Sequence, residues 1–177
     1  VRQDPDLIMI VELRDRETLR SGVMAAETGH LVFCTLHTAD TLQSFARILE
    51  FFPSSEHGFI RSSLANGLRA VMAQRLLPSV KPGVGVVPAT EVLLKTPIVS
   101  DRIRDGEDED LPAILHSSEA EGMHDFTTSL ARLLDEDYVD LKTAEEYAPN
   151  REALRSKARG IKVAADKLVH RIHRSAG

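Results

Sequence analysis

A single carboxylate, Glu12, is the first candidate for chemistry in this chain of 177 residues. It directly follows Leu7–Val11, an apolar run without polar alternation that predicts a parallel strand buried on both faces. A carboxylate in that position lies at the carboxyl edge of the sheet, where α/β proteins bind their ligands. There it can hold Mg²⁺, directly or through water, or position the water that attacks a phosphoryl group. The alternative is an acidic residue in a solvent-exposed loop, followed by Arg14 and Asp15.

Two histidines, His30 and His37, bracket the second β-rich run, Leu31–Leu36. At about 3.3 Å per residue they are roughly 23 Å apart, which excludes a metal ion shared between them. If the two strands are neighbours, His37 shares the edge of Glu12, whereas His30 lies at the far edge or near a neighbouring subunit. The alternative for each is a hydrogen-bonded structural histidine. Cys34, inside the run, is expected to be a small core residue.

The elements around these residues begin with a strand, a helix over about 17–27 and a second strand. This order predicts two parallel strands with a right-handed crossover. An amphipathic helix over 41–52, with Asp40 as its N-cap, and a long helix or two over 55–74 are expected next. Leu76–Leu77 and Val84–Val87 flank a turn rich in proline and glycine and are expected to form a hairpin, which a short strand over 91–94 follows. Helices are then expected over 96–104, 111–115 and 123–134, with a capping-box spacing at 143–146.

Composition narrows the class of protein. The balance of 22 Lys and Arg against 27 Asp and Glu gives a net charge of −5, which argues weakly against a dedicated nucleic-acid binder. One cysteine excludes an internal disulfide framework and a cysteine-based zinc ribbon.

Two charged segments lie in the second half of the chain. The acidic run 105–110 is expected to be a solvated loop. The basic tail 151–174 is expected to be a solvated helix or extension, and its alternative partners are nucleic acid and anionic lipid.

Two long stretches together identify a family. Residues 2–18, Arg-Gln-Asp-Pro-Asp-Leu-Ile-Met-Ile-Val-Glu-Leu-Arg-Asp-Arg-Glu-Thr, resemble the Walker B region of the type II/type IV secretion ATPases. Residues 28–38, Thr-Gly-His-Leu-Val-Phe-Cys-Thr-Leu-His-Thr, resemble their His box. Matches at 52–53, 70–77, 91–97 and 122–123 favour the PilT-like branch of pilus-retraction ATPases, and the resemblance covers about residues 1–147. The single cysteine of this chain agrees with the retraction branch, because extension and secretion relatives usually carry a four-cysteine zinc motif in this half of the protein.

The resemblance implies an α/β fold. Residues 1–95 would be the C-terminal half of a RecA-like P-loop NTPase core with a sheet rich in parallel strands. Residues 96–147 would form a small helical C-terminal subdomain, and 148–177 a basic tail. The segment 96–104 occupies the place of a C-terminal helix motif that the family needs for retraction, and follows its pattern only loosely.

The resemblance also implies a cytoplasmic ATPase, a homo-hexamer at the inner-membrane face. It would power type IV pilus retraction and twitching motility by acting on an inner-membrane platform protein, without nucleic acid. ATP and Mg²⁺ would be its cofactors. Glu12 would be the Walker B glutamate near Mg²⁺ and the attacking water, and Arg14 would bind the nucleotide with it. His30 and His37 would sense the γ-phosphate and relay its state to the subunit contact.

Two departures from the family accompany this resemblance. Val11 stands where the family has glycine before the Walker B glutamate, and its methyl groups are expected to crowd the phosphate site. No Gly-x-x-x-x-Gly-Lys-Ser/Thr loop is found in the sequence. We therefore expect a C-terminal fragment that does not hydrolyse ATP alone, or a degenerate homologue. The alternative functions are a non-catalytic assembly module, which Val11 favours, and a type II secretion or pilus-extension ATPase.

Overall fold

The computed structural model describes residues 5–161 and begins with a strand–helix–strand unit. Strands β1 (Leu7–Ile10) and β2 (Leu31–Cys34) are parallel neighbours, with Leu7 opposite Leu31 and Ile10 opposite Cys34. Helix α1 (Arg16–Glu27) connects them. The predicted pair of parallel strands joined by a helix is thus confirmed.

The two faces of this sheet differ in their surroundings. Gly22 brings α1 so close to β1 that a Cβ there would lie 2.9 Å from the Cδ1 atom of Ile10. On the opposite face Leu7, Leu31 and Phe33 are exposed, and Met9 is 67% exposed. The expected burial on both faces is therefore wrong for the described residues, because α1 covers only one face. Cys34, expected in the core, is exposed as well, although it shares the α1 face with its strand partner Ile10.

The long helix expected over 55–74 is shorter than predicted. Helix α2 (Thr41–Glu50), capped by Asp40 as predicted, precedes a 3-10 turn and α3 (His57–Gly67). At Leu68 the backbone becomes extended, with φ −58° and ψ 139°, and β3 (Ala70–Pro78) begins. This strand pairs with β4 (Val86–Leu94) in a two-stranded sheet, so the predicted hairpin is present and extends further than expected. Apolar residues at 71, 73 and 77 fit a strand as well as a helix, which explains the error.

The acidic run is not simply a solvated loop. Helix α4 (Pro97–Asp105), capped by Thr96, ends at Gly106, which has a left-handed backbone. A 3-10 turn then carries Asp108, whose two carboxylate oxygens accept hydrogen bonds of 2.8 and 2.7 Å from the guanidinium of Arg61. Arg61 also donates to the backbone carbonyl of Ile103. The acidic run is thus anchored to α3 and to the end of α4.

The remaining helices are α5 (Leu111–Ser117), α6 (Phe126–Asp135) and α7 (Leu141–Tyr147). The predicted capping box at 143–146 is wrong, because α7 begins earlier with Asp140 as its N-cap. Residues 151–161 of the basic tail are helical, and the rest of the tail lies outside the described residues. Among residues 5–161, none of the helices is both long enough and apolar enough to span a bilayer.

The chain divides into two compact units that are each discontinuous in sequence. The first comprises residues up to Ala73 together with Val92–Met123, and the second comprises Gln74–Glu91 together with the residues after Met123. These units do not coincide with the predicted domain boundaries at 95 and 147, which stay a prediction about how the chain is divided in the complete protein. The first unit contains the candidate site and two apolar cores, one centred on Phe45, Leu93 and Val99 and the other on Leu19, Ile48 and Ile60.

Candidate functional site

Leu13 fixes the segment that carries the candidate carboxylate. Its side chain is buried in the core around Leu19, and its backbone N–H donates to the carbonyl of Thr35 over 2.9 Å. The hydroxyl of Thr35 in turn donates to the carbonyl of Val11. Because successive side chains of an extended segment alternate in direction, burial of Leu13 turns Glu12 and Arg14 outward on the same side. Thr35, which the sequence analysis did not select, therefore helps to hold the segment.

Each oxygen of the Glu12 carboxylate has a partner, an arginine on Oε2 and a histidine on Oε1. Arg14 contacts Oε2 with Nε at 2.7 Å and with its terminal nitrogen Nη2 at 2.5 Å. His37 places Nε2 3.2 Å from Oε1. The side chain of Glu12 is 24% exposed, whereas those of Arg14 and His37 are 76% and 88% exposed. A partly buried carboxylate thus lies at the carboxyl edge of the sheet beneath two side chains that water reaches freely.

The electrostatics keep this carboxylate ionised. The hydrogen bond from Arg14 is the largest cause that lowers the pKa of Glu12 below its ordinary value, and the charges of Arg14 and His37 lower it further. The same hydrogen bond raises the pKa of Arg14. At neutral pH Glu12 is therefore an anion. It is suited to hold a cation or to accept a hydrogen bond from water, and it is unsuited to act as a general acid.

Val11 and Asp15 flank the segment that carries Glu12 and Arg14. Asp15 is the N-cap of α1, and the hydrogen bond it accepts from the backbone N–H of Thr18 lowers its pKa. Val11 is 78% exposed beside Glu12. Asp137 is the one non-glycine residue with a positive φ among residues 5–161, so Val11 occupies the position before Glu12 without backbone strain of that kind.

His30 is not part of this cluster. It precedes the first residue of β2, at the opposite end of the strand from His37. Its Nδ1 atom lies 3.1 Å from the carbonyl of Ala25 and 3.2 Å from the hydroxyl of Thr28, both near the end of α1. Of the predicted site residues, the structure brings Glu12, Arg14 and His37 together. Within residues 5–161 no three His, Cys, Asp or Glu side chains come together as metal ligands would.

Comparison with known proteins assigns the family. Residues 1–109 match the family described as "Type II/IV secretion system protein", which is more than half of the chain. The chain belongs to the type II/IV secretion system protein family. The candidate site lies inside the matched region, because Glu12, Arg14 and His37 all precede residue 109.

Individual relatives of this family member point to pilus ATPases. The chain is 39% identical over 155 residues to "Type IV pilus ATPase PilU" of Pseudomonas aeruginosa, covering 88% of this chain and 40% of the relative. It is 37% identical over 154 residues to a "Twitching motility protein" of Neisseria gonorrhoeae, covering 87% and 41%. A crystal structure described as "the Pilus Retraction Motor PilT and Bound ADP" matches with a TM-score of 0.72 and 34% identity, covering 84% of this chain and 41% of that one. The chain thus spans about 40% of the length of each of these relatives.

Proposed function

We propose that the complete protein is an ATP-hydrolysing motor subunit that powers type IV pilus retraction and twitching motility. The observation that carries the proposal is the meeting of Glu12 and His37 at the carboxyl edge of two parallel strands, with 3.2 Å between Oε1 and Nε2. The relatives named as pilus and twitching-motility proteins support it. The sequence has no Gly-x-x-x-x-Gly-Lys-Ser/Thr loop, so we expect hydrolysis from the complete protein and not from these 177 residues alone.

The fold that we infer for the complete protein is a RecA-like P-loop core. Residues 1–95 would be its C-terminal half, 96–147 a helical subdomain and 148–177 a basic tail. The parallel pair β1 and β2, joined by α1, is the arrangement that such a core requires. The match to a structure of a pilus retraction motor supports the same conclusion.

The chemistry that we assign to the site follows from its charges. Glu12 is a catalytic anion that orients the attacking water and accepts a hydrogen bond from it. Mg²⁺, when bound, would neutralise charge on the phosphates, and a site with one carboxylate fits it because this ion usually keeps several waters and takes its other ligands from phosphate. Arg14 and His37, both largely exposed beside Glu12, would contact the phosphates of ATP.

His30 would have a different part in the motor. Its place at the far end of β2 separates it from Glu12, so we propose that it acts at a contact with a neighbouring subunit and relays the state of the nucleotide. This requires an assembly of several subunits, and we propose a homo-hexamer. We further propose that the motor works in the cytoplasm at the inner-membrane face, on a platform protein of the pilus machine and without nucleic acid.

The experiment that tests this function is an ATPase and motility assay of the complete gene product. The purified protein should hydrolyse ATP in a Mg²⁺-dependent reaction, and deletion of its gene should leave pili that extend without retracting. A wild-type protein that binds no ATP, or a deletion strain with normal retraction, would contradict the proposal.

A second candidate function is a non-catalytic assembly module. The exposed isopropyl group of Val11 beside Glu12 favours it, because two methyl groups there would crowd a phosphate or a water. ATP binding without hydrolysis, or no binding at all, by the wild-type complete protein would favour this alternative. A secretion or pilus-extension ATPase remains a variant of the first candidate. The direction in which the pilus moves distinguishes an extension motor from a retraction motor.

A further inference from the structure

We propose that Arg14 changes partners during nucleotide binding: it holds the carboxylate of Glu12 when the site is free and moves to a phosphate when a nucleotide arrives. The inference rests on the proposed function and adds to it a device that keeps Glu12 engaged until substrate is present. The change of partners takes place within one site, which consists of Glu12, Arg14 and His37.

The geometry shows that the Oε2 atom of Glu12 is fully occupied by Arg14. Both contacts of Arg14, at 2.7 and 2.5 Å, fall on Oε2, and Oε1 faces Nε2 of His37. Each carboxylate oxygen has two lone pairs, so Oε2, with two contacts from Arg14, has no site left with which to orient a water or hold a cation. Arg14 must therefore release Oε2 before that oxygen can act.

Arg14 is the cation suited to move. Its side chain is 76% exposed, and an exposed ion pair contributes little net stability, so its exchange costs little. The flat guanidinium matches a phosphate with two parallel hydrogen bonds, as it matches a carboxylate. A triphosphate also carries several negative charges against the one of Glu12, so it competes well for Arg14.

The neighbouring Arg16 provides a matched control. It lies two residues further along the chain and is also exposed, but its guanidinium pairs with Glu56 and lies 5.8 Å from the ring centroid of Phe52. Its replacement removes the same charge two residues from Arg14 without touching Glu12.

The test is a nucleotide-binding titration of the complete protein, using ATP with Mg²⁺, for the wild type and for Arg14→Gln, Arg14→Lys and Arg16→Gln. Arg14→Gln should raise Kd by about 10- to 100-fold, since a charge-assisted hydrogen bond to phosphate is lost. Arg14→Lys should recover part of the affinity, because lysine keeps the charge and loses the two-pronged geometry. Arg16→Gln should bind as the wild type does.

A double-mutant cycle separates exchange from simple charge repulsion. Glu12→Gln should tighten binding in the wild-type background because it frees Arg14, and should tighten it much less in the Arg14→Gln background. Equal tightening in both backgrounds, or an unchanged Kd in Arg14→Gln, would overturn the inference and leave the proposed function standing. A wild-type protein that binds no ATP would overturn both.

Discussion

His37 reaches Glu12 from the end of the neighbouring strand, with Nε2 3.2 Å from Oε1. His30, at the other end of the same strand, instead lies within hydrogen-bond distance of the carbonyl of Ala25 and the hydroxyl of Thr28. Two histidines seven positions apart therefore have different surroundings, one at the charged site and one at a helix terminus. The two histidines lie at opposite ends of β2, as the sequence pattern predicts.

Replacement of each histidine by alanine should separate the two roles. In the complete protein His37→Ala should lower kcat for ATP hydrolysis by about 10²-fold, because one hydrogen-bond donor to the reacting phosphate is lost. His30→Ala should lower kcat less, and should reduce the free energy of unfolding by about 1 kcal/mol because the hydrogen bond to Ala25 is lost. Steady-state hydrolysis and denaturant unfolding measure the two effects. Wild-type turnover in His37→Ala would return that residue to a structural role.

The pair of Arg61 and Asp108 should stabilise the first unit. Their side chains are 17% and 18% exposed, so removal of one partner leaves the other charge largely enclosed. Arg61→Met and Asp108→Asn should each lower the free energy of unfolding by about 2 kcal/mol. Denaturant unfolding of the double variant should show a loss smaller than the sum, with a coupling of about 1 kcal/mol.

Arg104→Met is the matched control for that measurement. Arg104 pairs with Asp101 one helical turn away on the surface of α4, so its replacement should change the free energy of unfolding by less than about 0.5 kcal/mol. Equal losses in Arg61→Met and Arg104→Met would show that the acidic run is not anchored as the structure indicates.

Acid should weaken the link between α7 and the helical residues 151–161. Two hydrogen bonds from Arg155, at 2.6 and 3.0 Å, are the largest cause of the lowered pKa of Glu145. Because the folded-state pKa is lowered, the stability from this carboxylate is present above its unfolded pKa and is lost as the pH falls through the folded value.

The measurement is the free energy of unfolding against pH for the wild type and Glu145→Gln. The variant should be less stable near pH 7, and the difference should shrink as the pH falls below about 4, the ordinary range of a glutamate. Glu109→Gln, which removes an exposed carboxylate elsewhere, serves as the control. A difference that stays constant over this pH range would contradict the assignment.

The sequence predicted the elements that carry strong local signals. The run of residues 7–11 followed by a helix and a second β-rich run predicts the parallel pair, and Asp40 is recognisable as the cap of its helix. The shared edge of Glu12 and His37 follows from the same pattern, because parallel strands place their carboxyl ends together.

What the sequence did not predict depends on contacts between distant residues. The switch from helix to strand after Gly67 is hidden because Ala73 and Leu77 fit both periodicities. The partner of Asp108 is Arg61, 47 positions away, and no local pattern connects them. The Thr35 hydroxyl bond to Val11 and the ion pair between Arg14 and Glu12 likewise require knowledge of which side chains turn toward the same side.

The central claim is that Glu12 acts in hydrolysis and not in holding the nucleotide, and Glu12→Gln in the complete protein tests it most directly. Glutamine keeps the size of the side chain and removes the charge, so ATP should still bind while Mg²⁺-dependent turnover falls to background, as measured by nucleotide titration and phosphate release on one preparation. Phosphate release at the wild-type rate, with unchanged ATP binding, would contradict the account.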